Sequence, residues 1–143
     1  MRIPIKILHP GATVPDHAYG DGDAGVDLTS VAALTLGAGE RALVPTGIAV
    51  AIPHGFGGFV QPRSGLAARF GVTLTNSPGL IDSNYRGEIK VIIQNTGNED
   101  FEIRTGDRIA QLVIMPVEHA EFEAVEELPK SDRGSGGFGS SGV

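Results

Sequence analysis

Cysteine and tryptophan are both missing from this sequence of 143 residues, and no apolar stretch approaches the 18 residues of a membrane-spanning helix. Without cysteine there is no disulfide, no thiolate nucleophile and no thiolate-bound metal. Residues 1–10 lack the apolar core of a secretion signal, so we expect a cytoplasmic protein without a membrane partner. Positive charge is also scarce, since 11 Lys and Arg face 17 Asp and Glu. The resulting net charge of −6 disfavours nucleic-acid binding.

Glycine is abundant, with 21 residues, and the short apolar segments are separated by turn-forming residues. One short strand every 8–12 residues is typical of an all-β sandwich or barrel, in which glycine mainly supplies positive φ at corners. Pro4 lacks an N–H group and therefore places the first strand at a sheet edge. The predicted strands are 3–7, 26–28, 34–36, 41–44, 47–52, 59–61, 72–75, 88–94, 101–103, 109–115 and 120–125.

Two segments differ from this pattern. Residues 64–70 are predicted to form one short helix, capped by Ser64 and ended by a left-handed Gly71. Residues 131–143 hold too little apolar surface to fold alone. We therefore expect them to form a flexible arm that follows a β-barrel domain of residues 1–130.

Two G-x-G-x-x-G strings, at 20–25 and 134–139, do not predict a dinucleotide site. Neither has the preceding strand and following helix that such a site requires. Asp21 and Asp23 would also repel a pyrophosphate, and the first string is therefore interpreted as a turn.

Several polar residues stand where a β fold does not need them. Arg63 and Ser64 at the helix start favour an anion site, but a capped helix beside a surface arginine is an equally simple explanation. The segment 79–87 resembles a hairpin and carries Asp82 and Tyr85, although Asp is also common in ordinary turns.

Two further polar residues lie inside predicted strands. Gln111 interrupts an apolar run, so it is either a hydrogen-bonding core residue or a ligand contact. Asp27 is flanked by Val26 and Leu28, and an exposed strand face is the alternative explanation for it.

Together and in order, five stretches resemble the motifs of the trimeric dUTP pyrophosphatase (dUTPase) family. The resemblance implies a jelly-roll, β-barrel-like (β-clip) subunit with one short helix, assembled as a homotrimer. It also implies active sites at subunit interfaces, each closed by a neighbour's C-terminal arm. The implied reaction is hydrolysis of dUTP to dUMP and pyrophosphate with Mg²⁺, which keeps uracil out of DNA and supplies dUMP for dTMP synthesis. The matching stretches are 24–28, 62–67, 76–89, 106–112 and 133–139.

The resemblance also implies roles for residues of the nucleoside half of the site. Asp82 matches the base that activates water for attack on the α-phosphate, and Tyr85 matches the ring that packs on the deoxyribose. Leu80 departs from the Thr found in many members of the family. The residues implied to read uracil are Asn76 and the backbone of Leu80, Ile81 and Asp82. Lys90, on the strand after this segment, is a weaker match for a substrate contact.

The remaining implied roles concern the triphosphate and the arm. Asp27 is implied to face the hydrated magnesium ion, which is held mainly by the triphosphate, and Phe138 to stack on uracil. The implied phosphate contacts are Arg63, Ser64, Gly65 and Gln111 from the barrel, and Arg133, Ser135, Gly136 and Gly137 from the arm.

Two other functions were weighed against this hypothesis. The dCTP deaminases share the fold but use a Glu about ten positions after the hairpin Asp, where this chain has Ile92, which cannot transfer protons. A nucleotide-binding module without catalysis would not need Asp82.

Overall fold

The computed structural model describes residues 1–137 and confirms an all-β, jelly-roll-like fold with one short helix. The strands are short because turn residues interrupt the apolar segments every few positions. The elements are β1 (Ile5–Ile7), β2 (Val26–Thr29), β3 (Leu34–Leu36), β4 (Arg41–Pro45), β5 (Ile48–Val50), β6 (Phe56–Gln61), α1 (Ser64–Phe70), β7 (Val72–Leu74), β8 (Gly79–Ile81), β9 (Lys90–Asn95), β10 (Phe101–Ile103) and β11 (Arg108–Pro116).

Antiparallel pairing joins these strands into a four-stranded sheet β2-β11-β6-β8, a three-stranded sheet β4-β9-β7 and the pairs β1-β5 and β10-β3. The core lies between the sheets, where Leu28, Val44 and Ile93 are fully buried. Within residues 1–137, no helix has the length and hydropathy to cross a membrane.

Helix α1 is fixed to the end of β9 by close backbone contacts. Gly71 ends α1 with φ 68°, as predicted, and its carbonyl accepts the Thr96 hydroxyl at 2.6 Å. A Cβ on Gly97 would overlap the Phe70 carbonyl oxygen, so only glycine fits there. Asn95 is fully buried, donates to Leu36 O at 2.9 Å and accepts the Gly97 N–H at 2.9 Å. These contacts hold α1, and the phosphate-motif residues at its start, against the barrel.

Three local predictions are wrong. The N-cap of α1 is Arg63, without a side-chain capping bond, so Ser64 is already the first helical residue. The segment 79–87 is not a hairpin, because β8 pairs with β6 whereas β9 pairs with β4 and β7 in the other sheet. Residues 120–125 form no strand, since a strand requires a pairing partner and 118–130 has no backbone partner within the described chain. The 20–25 string is a turn as predicted, with the Asp23 N–H donating to Gly20 O at 3.1 Å.

Candidate active site

A cavity of about 400 Å³ opens where β8 meets β9, and we call it the nucleoside cavity. The size is that of a small ligand's pocket, and the lining combines aliphatic side chains with a few polar groups. The residues predicted to bind base and sugar line it, and all of them come from the stretch 76–90 that contains β8 and the start of β9. Those lining it are Asn76, Leu80, Ile81, Asp82, Tyr85 and Lys90.

Tyr85 is held in this cavity by the turn that carries it. Its hydroxyl donates to Glu88 O at 3.0 Å, and 44% of the residue remains exposed at the cavity mouth. A Cβ on Gly87 would overlap that hydroxyl, so the hydroxyl can reach Glu88 only because position 87 is glycine. Arg86 braces the same turn by donating from Nη1 to Ser83 O and Tyr85 O, both at 2.7 Å. The ring is therefore presented in a fixed position.

Asp82 lies at the rim of the nucleoside cavity with its side chain exposed. Its backbone oxygen accepts the Tyr85 N–H at 3.1 Å, which fixes the spacing between carboxylate and ring. Within residues 1–137 the carboxylate itself makes no hydrogen bond or ion pair. Both carboxylate oxygens are thus available to a water molecule or a ligand.

Lys90 and Asn76 stand on either side of the cavity. The Lys90 ammonium lies 3.5 Å from Glu88 Oε2, while Glu88 Oε1 accepts the Gly47 N–H at 2.9 Å. A Cβ on Gly79 would come 3.1 Å from the Asn76 amide nitrogen, so the glycine lets this amide lie close to β8. Glu88, which sequence reasoning missed, connects the cavity wall to the turn before β5.

A second set of predicted residues lies on the outer face of the four-stranded sheet. Asp27, Gln111 and Gln61 are cross-strand neighbours on β2, β11 and β6. Their flanking residues Leu28 and Leu112 point into the core, so the alternation of a strand places the polar side chains outside. A second cavity of about 440 Å³ lies there, lined by all five predicted residues of this group: Asp27, Arg63, Ser64, Gly65 and Gln111.

Two arginines share the single carboxylate of Asp27, and we call Asp27, Arg63 and Arg108 the arginine cluster. Arg63 Nε lies 3.3 Å from Oδ1, and Arg108 Nη1 lies 3.2 Å from Oδ2. Arg63 Nη1 also donates to the Arg108 carbonyl at 2.8 Å. The two arginines supply the charged donors that an anion site requires, and the carboxylates in the cavity lining are those of Asp27 and Asp23. Sequence reasoning missed Arg108, although it lies within the matching stretch 106–112.

Gln111 has a structural contact and a cavity position at once. Its Nε2 donates to Pro62 O at 3.0 Å, which ties β11 to the segment leading into α1. The half-buried side chain still lines the second cavity. The two alternatives left open by the sequence therefore do not exclude each other.

The two cavities of one chain are separate. Among residues 1–137 they share no lining residue, and Val60 of the first and Gln61 of the second are consecutive on β6, so they point to opposite faces. The four-stranded sheet therefore lies between the nucleoside cavity and the arginine cluster of one chain.

The four predicted arm residues that the structure describes, Arg133, Ser135, Gly136 and Gly137, line neither cavity of their own chain. Arg133 Nε donates to Gly136 O at 2.7 Å, which closes a local turn. Ser135 is exposed, and Gly136 and Gly137 are half-buried. Phe138 lies outside the described residues.

The donors present fit a magnesium ion held mainly by a substrate. Among residues 1–137 there is no group of three or more carboxylate or imidazole ligands that would form a protein cage. Magnesium commonly retains several waters and binds one or two carboxylates together with substrate phosphates. Asp27 suits contact through water, because a carboxylate has about four acceptor sites and its two arginine partners leave room for more.

An antiparallel β fold with a cavity of small-ligand size and a separate arginine cluster fits a nucleotide-binding protein. The dUTPase family model matches residues 12–142, and the chain belongs to that family. It is therefore an enzyme of the dUTP diphosphatase class.

Individual relatives agree with this assignment. The chain is 53% identical over 139 residues to the deoxyuridine 5'-triphosphate nucleotidohydrolase of Tropheryma whipplei (strain Twist), covering 96% of this chain and 94% of that one. The dUTPase of Staphylococcus bacteriophage 80alpha with dUPNHPP superposes with a TM-score of 0.92 at 31% identity, over 99% of both chains. A mutant dUTPase from phage phi11 of S. aureus, which coordinates a structural Mg(II) ion, has a TM-score of 0.84 at 26% identity, over 91% of this chain and all of that one.

Proposed function

We propose that this chain hydrolyses dUTP to dUMP and pyrophosphate with Mg²⁺ on the triphosphate, and that it thereby limits uracil in DNA and supplies dUMP for dTMP synthesis. One observation carries the proposal. The predicted base, sugar and water-activating residues line one cavity, and the Asp82 carboxylate at its rim makes no hydrogen bond or ion pair within residues 1–137.

Recognition of deoxyuridine is supported by the strand that borders the cavity. β8 is an edge strand, so one row of its backbone N–H and C=O groups is not used by the sheet. These groups around Leu80 and Ile81, together with the Asn76 amide, can pair with the uracil edge. A cytosine would leave buried donors and acceptors unmatched, which is strongly unfavourable. The fixed ring of Tyr85 lies against the deoxyribose and leaves no space for a 2'-hydroxyl.

Asp82 is proposed as the catalytic base. Its carboxylate accepts a proton from a water molecule as the water oxygen attacks the α-phosphorus. The bond from the α-phosphorus to the bridging oxygen breaks, and pyrophosphate leaves. General-base assistance of this kind contributes about 10²–10⁴-fold to rate. The carboxylate oxygens support this role, since neither has to be released from a partner among residues 1–137 first.

The triphosphate is proposed to lie between two copies of the chain. Because the two cavities of one chain face opposite sides of the sheet, a complete site takes its nucleoside cavity from one copy and its second cavity from another. This geometry supports the homotrimer. In it, Arg63, Ser64, Gly65 and Gln111 would contact the phosphates. Lys90, on the nucleoside side, is a weaker candidate contact.

Residues 131–143 are proposed as the flexible arm that closes a site on a neighbouring barrel of residues 1–130. In this scheme the arm grips the γ-phosphate and Phe138 stacks on uracil. The segment before the arm supports an intermolecular path, because Phe122 and Leu128 are 97% and 83% exposed on a single chain. The arm's proposed phosphate contacts are Arg133, Ser135, Gly136 and Gly137.

Magnesium, when bound, would neutralise part of the triphosphate charge, and Asp27 would hold its water shell. Asp27 itself is oriented by the two arginines that bind its oxygens.

The test is pyrophosphate release from dUTP with Mg²⁺, measured beside dTTP, dCTP and UTP. We expect turnover of dUTP and little of the others. Ammonia release from dCTP would instead identify a deaminase, although Ile92 in the cavity wall offers no proton-transfer group. The variant Asp82→Asn should lower kcat by about 10²–10⁴-fold. Asp100→Asn, at an exposed carboxylate outside both cavities, is the matched control. Near-normal turnover in Asp82→Asn would remove Asp82 from its role.

A further inference from the structure

Arg108 has no assigned role in the site, yet it touches both other members of the arginine cluster. Its Nη1 lies 3.2 Å from Asp27 Oδ2, and its backbone carbonyl accepts from Arg63 Nη1 at 2.8 Å. We infer that Arg108 is a positioning residue, which occupies one oxygen of Asp27 so that Arg63 keeps a free cationic face for the triphosphate. This inference rests on the proposed function and adds a residue to it.

The sharing of Asp27 explains why a second arginine is needed. Asp27 is only 19% exposed, and its two oxygens are divided between Arg63 and Arg108. Without Arg108, Oδ2 of Asp27 would be free to accept a second hydrogen bond from Arg63, because arginine and carboxylate commonly pair through two bonds. That donor of Arg63 would then be lost to the triphosphate. Arg108 also lines the second cavity and its side chain is 53% exposed, so direct contact with a phosphate is the alternative that the tests below separate.

The donors of Arg63 support the same assignment. Its Nε binds Asp27 and its Nη1 binds the Arg108 carbonyl, while its Nη2 makes no bond within residues 1–137. The side chain is 29% exposed and lines the second cavity. The guanidinium is thus held at Nε and Nη1, and Nη2 is the donor that can reach a phosphate oxygen. If Oδ2 of Asp27 lost its partner, the carboxylate could rotate and accept from Nη2 as well, which lies beside Nε on the same edge of the guanidinium.

The first test compares Arg108→Gln with two other variants. We expect kcat/KM for dUTP to fall about ten- to a hundredfold, the usual effect of losing a charged hydrogen bond, with the change in KM rather than kcat. Arg108→Lys keeps the charge and should recover most of the loss. Arg104→Gln removes the same charge four residues earlier, from an exposed pair with Glu102 at 2.9 Å, and should leave both constants unchanged. The side-chain hydrogen bonds and the positive charge of Arg104 lower the pKa of Glu102, so the charge of Arg104 is balanced within this pair and is independent of the second cavity.

The second test separates positioning from direct contact. Binding of inorganic triphosphate is measured by calorimetry in the wild type, Arg108→Gln, Asp27→Asn and the double variant. If Arg108 acts through Asp27, its removal weakens binding in the wild-type background and has little effect in Asp27→Asn. An equal loss in both backgrounds would overturn the inference in favour of direct phosphate contact. Wild-type affinity in Arg108→Gln, or no recovery in Arg108→Lys, would also overturn it.

These outcomes are distinct from failure of the proposed function. Absence of dUTP turnover by the wild type would refute that function, whereas the triphosphate measurements would still decide the role of Arg108. Circular dichroism and thermal unfolding identify a variant that does not fold. Should Arg108→Gln be such a variant, Arg108→Met, which keeps the aliphatic stem without the charge, replaces it in both tests.

Discussion

Mixing two inactive variants should restore activity if each site is shared between chains. Asp82→Asn disables the nucleoside cavity, and Arg63→Gln disables the arginine cluster. The two side chains line different cavities with no residue in common, on opposite faces of the four-stranded sheet. Each variant alone has one defect in every site, so each should be inactive in a uniform assembly.

The size of the recovery follows from the geometry. In a cyclic trimer, each site takes Asp82 from one chain and Arg63 from its neighbour. After equal mixing, the chain that supplies position 82 to a given site carries an intact Asp82 in half of the cases. The adjacent chain, which supplies position 63 to the same site, carries an intact Arg63 in half of the cases. About one quarter of the sites are then fully intact, and we expect about one quarter of wild-type activity. A site contained in one chain would give no recovery, because every chain would keep its own defect.

The assay uses the two variants unfolded together in denaturant, refolded and compared with each variant refolded alone and with the wild type treated identically. Pyrophosphate release from dUTP reports the activity, and light scattering reports the oligomeric state. Activity of the mixture equal to the mean of the two single variants would refute shared sites. If the refolded wild type does not regain activity, the two variants are instead co-expressed with different tags. The expected activity is again about one quarter of that of the wild type.

Three further predictions follow from single contacts. Tyr85→Ala should lower the preference for dUTP over UTP about ten- to a hundredfold, because the ring that excludes a 2'-hydroxyl is lost; unchanged ratios of kcat/KM for the two substrates would contradict this. Asn95→Leu should lower the free energy of unfolding by about 2–4 kcal/mol, because the buried backbone groups that pair with the Asn95 side chain lose their hydrogen bonds. Urea unfolding at fixed protein concentration measures this change, and a decrease below about 1 kcal/mol would contradict the prediction. Truncation after Lys130 should sharply reduce turnover while light scattering shows the same assembly as in the full chain; full activity would remove the arm from the proposed mechanism.

Local features of the fold were predictable because they depend on neighbouring residues. Gly71 ends the helix with positive φ, and the Gly20 turn forms where acidic residues and glycines cluster. The sequence left open whether Gln111 lies in the core or at a ligand, and whether Asp27 lies at a ligand or on an exposed strand face. The strand alternation of the structure places both side chains outside the apolar row. In contrast, the cap assigned to Ser64 was one residue late, because nothing in the sequence distinguishes the last non-helical residue there.

Errors arose where the outcome depends on distant strands. The segment after Gly79 has the turn residues of a hairpin, but β8 and β9 pair with different partners and belong to different sheets. Residues 120–125 alternate like a strand, yet pairing needs a second strand at the right position. Arg108 was missed for a similar reason, since its partner Asp27 is 81 positions away and no local pattern connects them.

The sequence by itself determined the fold class, the helix and the types of side chain available for the chemistry. Composition, strand spacing and motif order are properties of the linear chain, and a folded molecule cannot change them. Only the tertiary structure decided which of those side chains meet. Strand register placed the nucleoside residues in one cavity and the arginine cluster in another, on the opposite face. The physical reason is that pairing between strands is non-local, so one residue of register decides which face of the sheet each side chain occupies.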